Sequence, residues 1–259
     1  MIPALHAEWT KLRTLGSTGW LLLAVVALTV IVGAASSAAV SCPSGGCAED
    51  PAKISLTGIY LGQAVVAILA VLAVSAEYGT GMIRTTLTAM PRRTAVLAAK
   101  AALTAGLALA AGIVAVAGSL LAGRLILPGR GIGPSHGYAG HGYPALTLAD
   151  GPVLRAAVGS VLYLGLIALF SAGIAAAVRD QAAAIGVVLG LLYLFPIVAA
   201  TAGNASLGRH LQQLGPMTAG LAVEATTGQS TQPIGPWAGL AVLAAWAAAA
   251  LLAGGLLLR

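Results

Sequence analysis

Six apolar runs, each of roughly twenty residues, divide this 259-residue chain and set most of what it can fold into. They cover residues 19–40, 54–76, 94–122, 158–178, 182–201 and 237–258. A run of that length spans the hydrocarbon core of a bilayer as a helix, and a helix keeps every backbone polar group bonded internally, as lipid requires. Composition agrees. A water-soluble domain is about one-quarter charged, whereas this chain is 8% charged and 59% hydrophobic, with mean hydropathy +0.95. Too little polar surface exists to cover a soluble particle. The fold class is therefore all-α: a polytopic membrane protein with six transmembrane helices, an N-terminal interfacial helix (1–16) and a short cytoplasmic helix within the loop 77–93, all in one transmembrane domain over 1–259.

Net charge is +6. In a membrane protein such an excess sorts to cytoplasmic loops rather than signalling nucleic acid, so no nucleic-acid partner is expected. With the N-terminus in the cytoplasm, the inner side holds Lys11, Arg13, Arg84, Arg92, Arg93, Lys100, Arg179 and Arg259. The outer side holds Lys53, Arg124, Arg130, Arg155 and Arg209. Eight against five favours a multi-pass plasma-membrane protein with both termini cytoplasmic. Lys53 and Arg155, close to helix ends, narrow that margin.

The first run has a rival reading. A basic start, an apolar stretch and "AASSAAVSC" resemble a cleaved leader, and "AVSC" approaches a lipoprotein box at Cys42. The apolar run is longer than a usual leader core, and Ala39 stands where such boxes prefer leucine, so the segment reads as a retained span. Cys42 and Cys47 share one short loop; a small-loop disulfide and two free thiols both fit. His136 and His141 head two His-Gly-Tyr repeats, but two ligands without Cys or carboxylate neighbours make a poor metal site, and a Gly-rich outer loop explains them.

The spans also lack things. Their cores hold no Asp, Glu, Lys, Arg or His, the groups that carry coupling charge in ion-driven carriers. Gln63 and Ser160 are neutral exceptions. Ser119, in "AGSLLAG", has no base beside it and reads as a helix-packing serine. Gly186 and Gly190 form a GxxxG pair, with Pro196 further along the same run; packing or a place along a pathway would explain them. No G-x-x-x-x-G-K-[ST] phosphate loop occurs, so ATP hydrolysis by that route would belong to another polypeptide.

Two polar stretches are amphipathic. In "MIPALHAEWTKLRTLGSTGW", Ile2, Leu5, Trp9 and Leu12 recur three or four apart, with Lys11 and Arg13 on other faces. This predicts an interfacial helix, Trp9 at headgroup level, that bends at Gly16 into the first span. In "EYGTGMIRTTLTAMPRR", Glu77 closes the second span and Gly79 and Gly81 permit a sharp change of direction. A helix from Met82 to Met90, stopped by Pro91, would align Ile83, Leu87 and Met90, while Arg92 and Arg93 meet headgroups. It is either a surface connector or a docking element for a cytoplasmic partner.

This last stretch resembles the loop between the second and third spans of ABC-2 type transporter permeases: Glu-Tyr, glycines, Ile-Arg, a Thr-Leu pair, then Pro and Arg. "AEWTKLRTLGSTGW" is similar to the same family's elbow helix, and "QQLGPMTAGLAV" to the outer loop before its sixth span, here 202–236, which can hold short re-entrant helices. The resemblance implies a permease subunit of an ATP-driven exporter that works by alternating access. The chain itself would be no enzyme and bind no cofactor; ATP and magnesium would sit in a separate cytoplasmic ATP-binding subunit, and a second permease copy would complete the pathway. Glu77, Tyr78, Gly79, Gly81, Ile83, Arg84 and Leu87 would form the ATPase-coupling element, Trp9, Lys11, Leu12 and Arg13 the elbow. In the family the second and fifth spans line the dimer axis, which makes Gln63, Tyr193 and Phe195 pathway candidates beside a packing role. The alternative is an ATP-independent membrane protein, an anchor or a sensor partner. An embedded enzyme is disfavoured by the missing base.

Overall fold

Every apolar run folds as a helix. The computed structural model describes residues 16–41, 50–79, 93–132, 137–138, 141–142, 146–201, 203–228 and 232–257. Its long helices are α1 (Gly16–Ala39), α3 (Ile59–Gly79), α4 (Arg93–Ile126), α5 (Gly151–Val178), α6 (Gln181–Thr201) and α9 (Pro236–Leu257). Shorter ones are α2 (Pro51–Leu56), α7 (Ala205–Leu214) and α8 (Pro216–Gly220), with 3-10 turns at Leu127–Arg130 and Leu221–Glu224. Six stretches are long and apolar enough to cross a membrane, α2 and most of α3 forming one of them, Pro51–Ser75. The protein is an all-α, multi-pass membrane protein. The β pairing among the described residues is one two-residue antiparallel ladder, β1 (Gly137–Tyr138) against β2 (His141–Gly142), inside the Gly-rich loop.

The helix starts depart from the apolar boundaries for local reasons. α5 begins at Gly151 and not near 158, because Pro152 suits a first turn and Asp150 takes the N-cap position. Arg155 thus lies within the helix. The second crossing begins at Pro51, where the Asp50 carboxylate accepts the Ala52 and Lys53 amides at 3.1 and 3.2 Å. It then breaks at Thr57–Gly58. The break coincides with a close approach: a Cβ on Gly58 would overlap the Thr29 carbonyl of α1. α4 outlasts its expected end, running to Ile126 before the 3-10 turn that closes on left-handed Gly131, φ 81°.

α5 is the hub. It packs against α9, α4, α3 and α6, and 61% of its most apolar window is buried, against 22% for α1 and for α6. Tyr163, Leu164, Ile167 and Phe170 fill the centre, against Val66 and Val71 of α3, Leu192 of α6 and Leu243 of α9. The peripheral helices turn their remaining side chains outward (Trp20, Ile31, Leu194, Leu252), as lipid contact demands. Lys100, near the start of α4, is buried and its ammonium donates to Ala73 O at 3.4 Å.

Six crossings place Gly16, the connection 79–93, the tight turn 178–181 and Leu257 at one end of the bundle, which we term the open end. There the Arg179 side chain donates to Leu257 O. The links 39–51, 126–151 and 201–236 lie at the other, capped end. Across it run α7, α8 and the 221–224 turn. α7 is amphipathic, with Leu207, Leu211 and Leu214 four and three apart and Arg209 and His210 exposed, a pattern suited to the membrane interface.

Candidate functional site

The richest polar cluster among the described residues forms where the segment Pro216–Ala225 sinks into the capped end. "PMTAGLAVEA" is apolar but for Thr218 and Glu224, and all of it except Thr218 is buried. Close backbone approach makes the seat. A Cβ on Gly239 of α9 would overlap the Ala219 carbonyl, and one on Gly159 of α5 would overlap the Val223 side chain. Gly215 and Pro216 start α8 without a side-chain cap, and Thr218 Oγ1 donates back to Gln212 O at 2.8 Å, tying α8 to the end of α7.

Side chains from distant helices pin both ends of the segment. Asp50 is the main clamp. Beyond its own helix cap, its carboxylate accepts Thr226 N at 2.5 Å, Thr226 Oγ1 at 2.6 Å and Thr227 N at 3.0 Å. Arg155 Nη2 donates to Ala225 O at 2.6 Å. At the other end, Trp246 Nε1 donates to Leu214 O at 2.9 Å and Gln213 Nε2 to Pro233 O at 2.7 Å.

Beneath the segment runs a line of uncharged polar groups. The Tyr163 hydroxyl donates to Gln63 Oε1. Gln63 Nε2 donates to Tyr60 O at 3.3 Å and approaches Met217 Sδ at 3.1 Å. The Tyr193 hydroxyl donates to the same Tyr60 carbonyl. Four helices are thus tied together: α3 (Tyr60, Gln63), α5 (Tyr163), α6 (Tyr193) and α8 (Met217).

Glu224 is the exception in this cluster. Its side chain is 0% exposed, and neither carboxylate oxygen has a hydrogen-bond partner among the described residues. A buried, unbonded carboxylate is strongly disfavoured as an anion. Burial accordingly pushes the Glu224 pKa well above the usual carboxylate range; Lys53 pulls it down and Asp50 pushes it up, both less strongly. Beside the segment lies a cleft of ≈ 240 Å³ lined by Lys53, Tyr60, Pro196, Gln212, Leu221 and Ala222, among others. A larger apolar groove of ≈ 620 Å³ runs between α4 and α5, past Ile113, Leu121, Leu154 and Leu162, with Arg124 at its rim.

The residues singled out in the sequence fall into three groups. Gln63 and Tyr193 meet at the Tyr60 carbonyl, while Phe195 stands apart, edge-on to Trp246 at 6.1 Å. Gln63 is fully buried and bonds to Tyr60 O and Met217 Sδ. Glu77, Tyr78 and Gly79 are the last residues of α3. Gly81, Ile83, Arg84 and Leu87, the elbow residues Trp9, Lys11, Leu12 and Arg13, and Cys42 and Cys47 lie outside the described residues. Ser119 Oγ donates to Thr29 O at 3.3 Å, a helix–helix contact. Among the described residues, no atom lies within reach of an added Cβ at Gly186 or Gly190, so this pair faces away from the described bundle.

No protein-family model matches the chain, and a comparison with curated proteins likewise finds no match. Sequence reasoning missed Asp50, Tyr60, Tyr163 and Glu224. For Glu224 a signal was present: it is the one charged residue in the apolar stretch 214–225.

Proposed function

We propose that this chain is the membrane subunit of an ATP-driven exporter of the ABC-2 type, moving its substrate by alternating access while a separate cytoplasmic subunit binds and hydrolyses ATP. The observation that carries the reading is the stretch "EYGTGMIRTTLTAMPRR", whose order of residues resembles the coupling loop of such permeases. Its placement supports the reading. α3 ends at Gly79 and α4 begins at Arg93, so residues 80–92 connect the two at the open end, away from the capped cluster. A partner that pushes there would act on α3 and α4 directly. α3 also carries Gln63 and the Tyr60 carbonyl, so movement of its open end is felt by the polar line at the capped end.

A second copy fits the outward faces. α6 is sparsely buried within one chain and turns Gly186 and Gly190 away from it, the residue type that lets helices from two copies approach closely. In this arrangement the cytoplasmic side is the open end and the membrane is the plasma membrane.

The test is affinity purification of the tagged chain from its native membrane in mild detergent. A partner bearing a phosphate loop should accompany the wild type. Ile83→Asp with Leu87→Asp should lose it while the chain still inserts. Retention of the partner by that double variant, or a wild type that purifies alone without ATPase activity, overturns the proposal.

A further inference from the structure

Glu224 presents a problem that the transport reading does not use. Its carboxyl group is enclosed, has no hydrogen-bond partner among the described residues, and sits on a segment that is clamped by side chains at both ends and seated on α5 and α9 between them. Among the described residues, the elements packed against the segment carry these ionisable groups: Asp50 and Lys53 at the start of the second crossing, Tyr60 on α3, Arg155 and Tyr163 on α5, and Tyr193 on α6; α7 adds the exposed Arg209 and His210, and α8 and α9 bring none. Asp50 is committed to five donors, and Arg155 to the Ala225 carbonyl and a further interaction. Tyr163 gives its hydroxyl to Gln63. Lys53 is the cation on the wall of the cleft that also exposes Leu221 and Ala222.

We propose that Glu224 is a proton-binding site that latches the 216–225 segment into the capped end: with its proton the segment stays seated, and without it the segment moves toward Lys53 and the adjoining cleft.

The geometry gives both states a physical basis. A neutral carboxyl can remain among Tyr60, Tyr163 and the apolar wall, whereas a carboxylate there is enclosed without a donor among the described residues. The cleft beside Leu221 and Ala222 provides space and an ammonium group without unfolding any crossing helix. The direction of the pH effect follows from linkage. Glu224 has a higher proton affinity when seated than when released beside Lys53, so the seated state is fully favoured only below the released group's value, which the ammonium holds under the ordinary carboxyl value of 4.5. It loses ground as pH rises above that value, until the seated group itself ionises. Across this window the release equilibrium shifts about tenfold per pH unit.

The experiment is hydrogen exchange, read by mass spectrometry, on the full chain in lipid nanodiscs without nucleotide or partner. Its outcome does not depend on the permease proposal. After correction for intrinsic exchange rates, protection of residues 216–228 in the wild type should fall about tenfold per pH unit above pH 4.5. Glu224→Gln, which mimics the protonated form, should stay protected and flat. Should that variant fail to fold, Lys53→Met serves instead: removing the cation that favours ionisation should extend the fall to higher pH. Wild-type protection that does not change with pH overturns the proposal, as does a fall that persists in Glu224→Gln or is unmoved by Lys53→Met.

Discussion

The two ends of the bundle assemble their chemistry in opposite ways. At the capped end, partners come from far apart in the chain: Asp50 reaches Thr226 and Thr227, Arg155 reaches Ala225, and Tyr163 reaches Gln63. At the open end, the residues we assign to coupling are contiguous, from Glu77 to Leu87. The first kind of site exists only once helices have packed. The second is a short run that a partner can read directly. The capped end is therefore tied to folding stability, and under the coupling proposal substitutions at the other end act on the partner and not on the packing of these helices.

That contrast can be broken by substitution, and the largest effect belongs to Asp50. Asp50→Ala removes the cap of α2 and frees Thr226 and Thr227 together, and should cost about 3 kcal/mol, seen as a lower melting temperature in detergent. A loss below about 0.5 kcal/mol, the level of an ordinary surface change, would show that the clamp does not hold the capped end. Tyr163→Phe should follow at about 1–2 kcal/mol, since it leaves Gln63 Oε1 buried without its donor. A companion Gln63→Leu that recovers part of the loss in a double-mutant cycle would sharpen the case for a single network. The smallest stability effect is expected for Gly186→Leu on the outward face of α6, within about 0.5 kcal/mol for the isolated chain. The same variant should nevertheless weaken association between copies, measured by cross-linking in membranes. Unchanged association would remove α6 from the contact between copies.

Much of the fold was legible because bilayer thickness fixes helix length, so apolar runs locate the crossings. The starts were less so. Arg155 made residues 151–157 look like a loop, although Asp150 and Pro152 formed an N-terminal helix signal that proved decisive. Gln63 and Tyr193 stood out as polar groups in apolar surroundings, and the structure brings them to one carbonyl. Glu224 escaped notice for a specific reason. The spans themselves carry no charged residue in their cores, and this buried carboxyl enters the capped end from a connecting segment. Its burial depends on Gly159 and Gly239, positions 65 residues before it and 15 after it in sequence, and no local pattern encodes that seat.

The glycine seat also fixes an order of assembly. Each crossing segment is apolar enough to enter the bilayer on its own account, with its backbone satisfied as it enters. The 216–225 segment has no such independence. Half of its socket is α5, made earlier, and the other half is α9, made later, so it has nowhere to dock until the final crossing is in place. Closing the capped end therefore waits for α9, and a chain stalled before it would leave Glu224 in water.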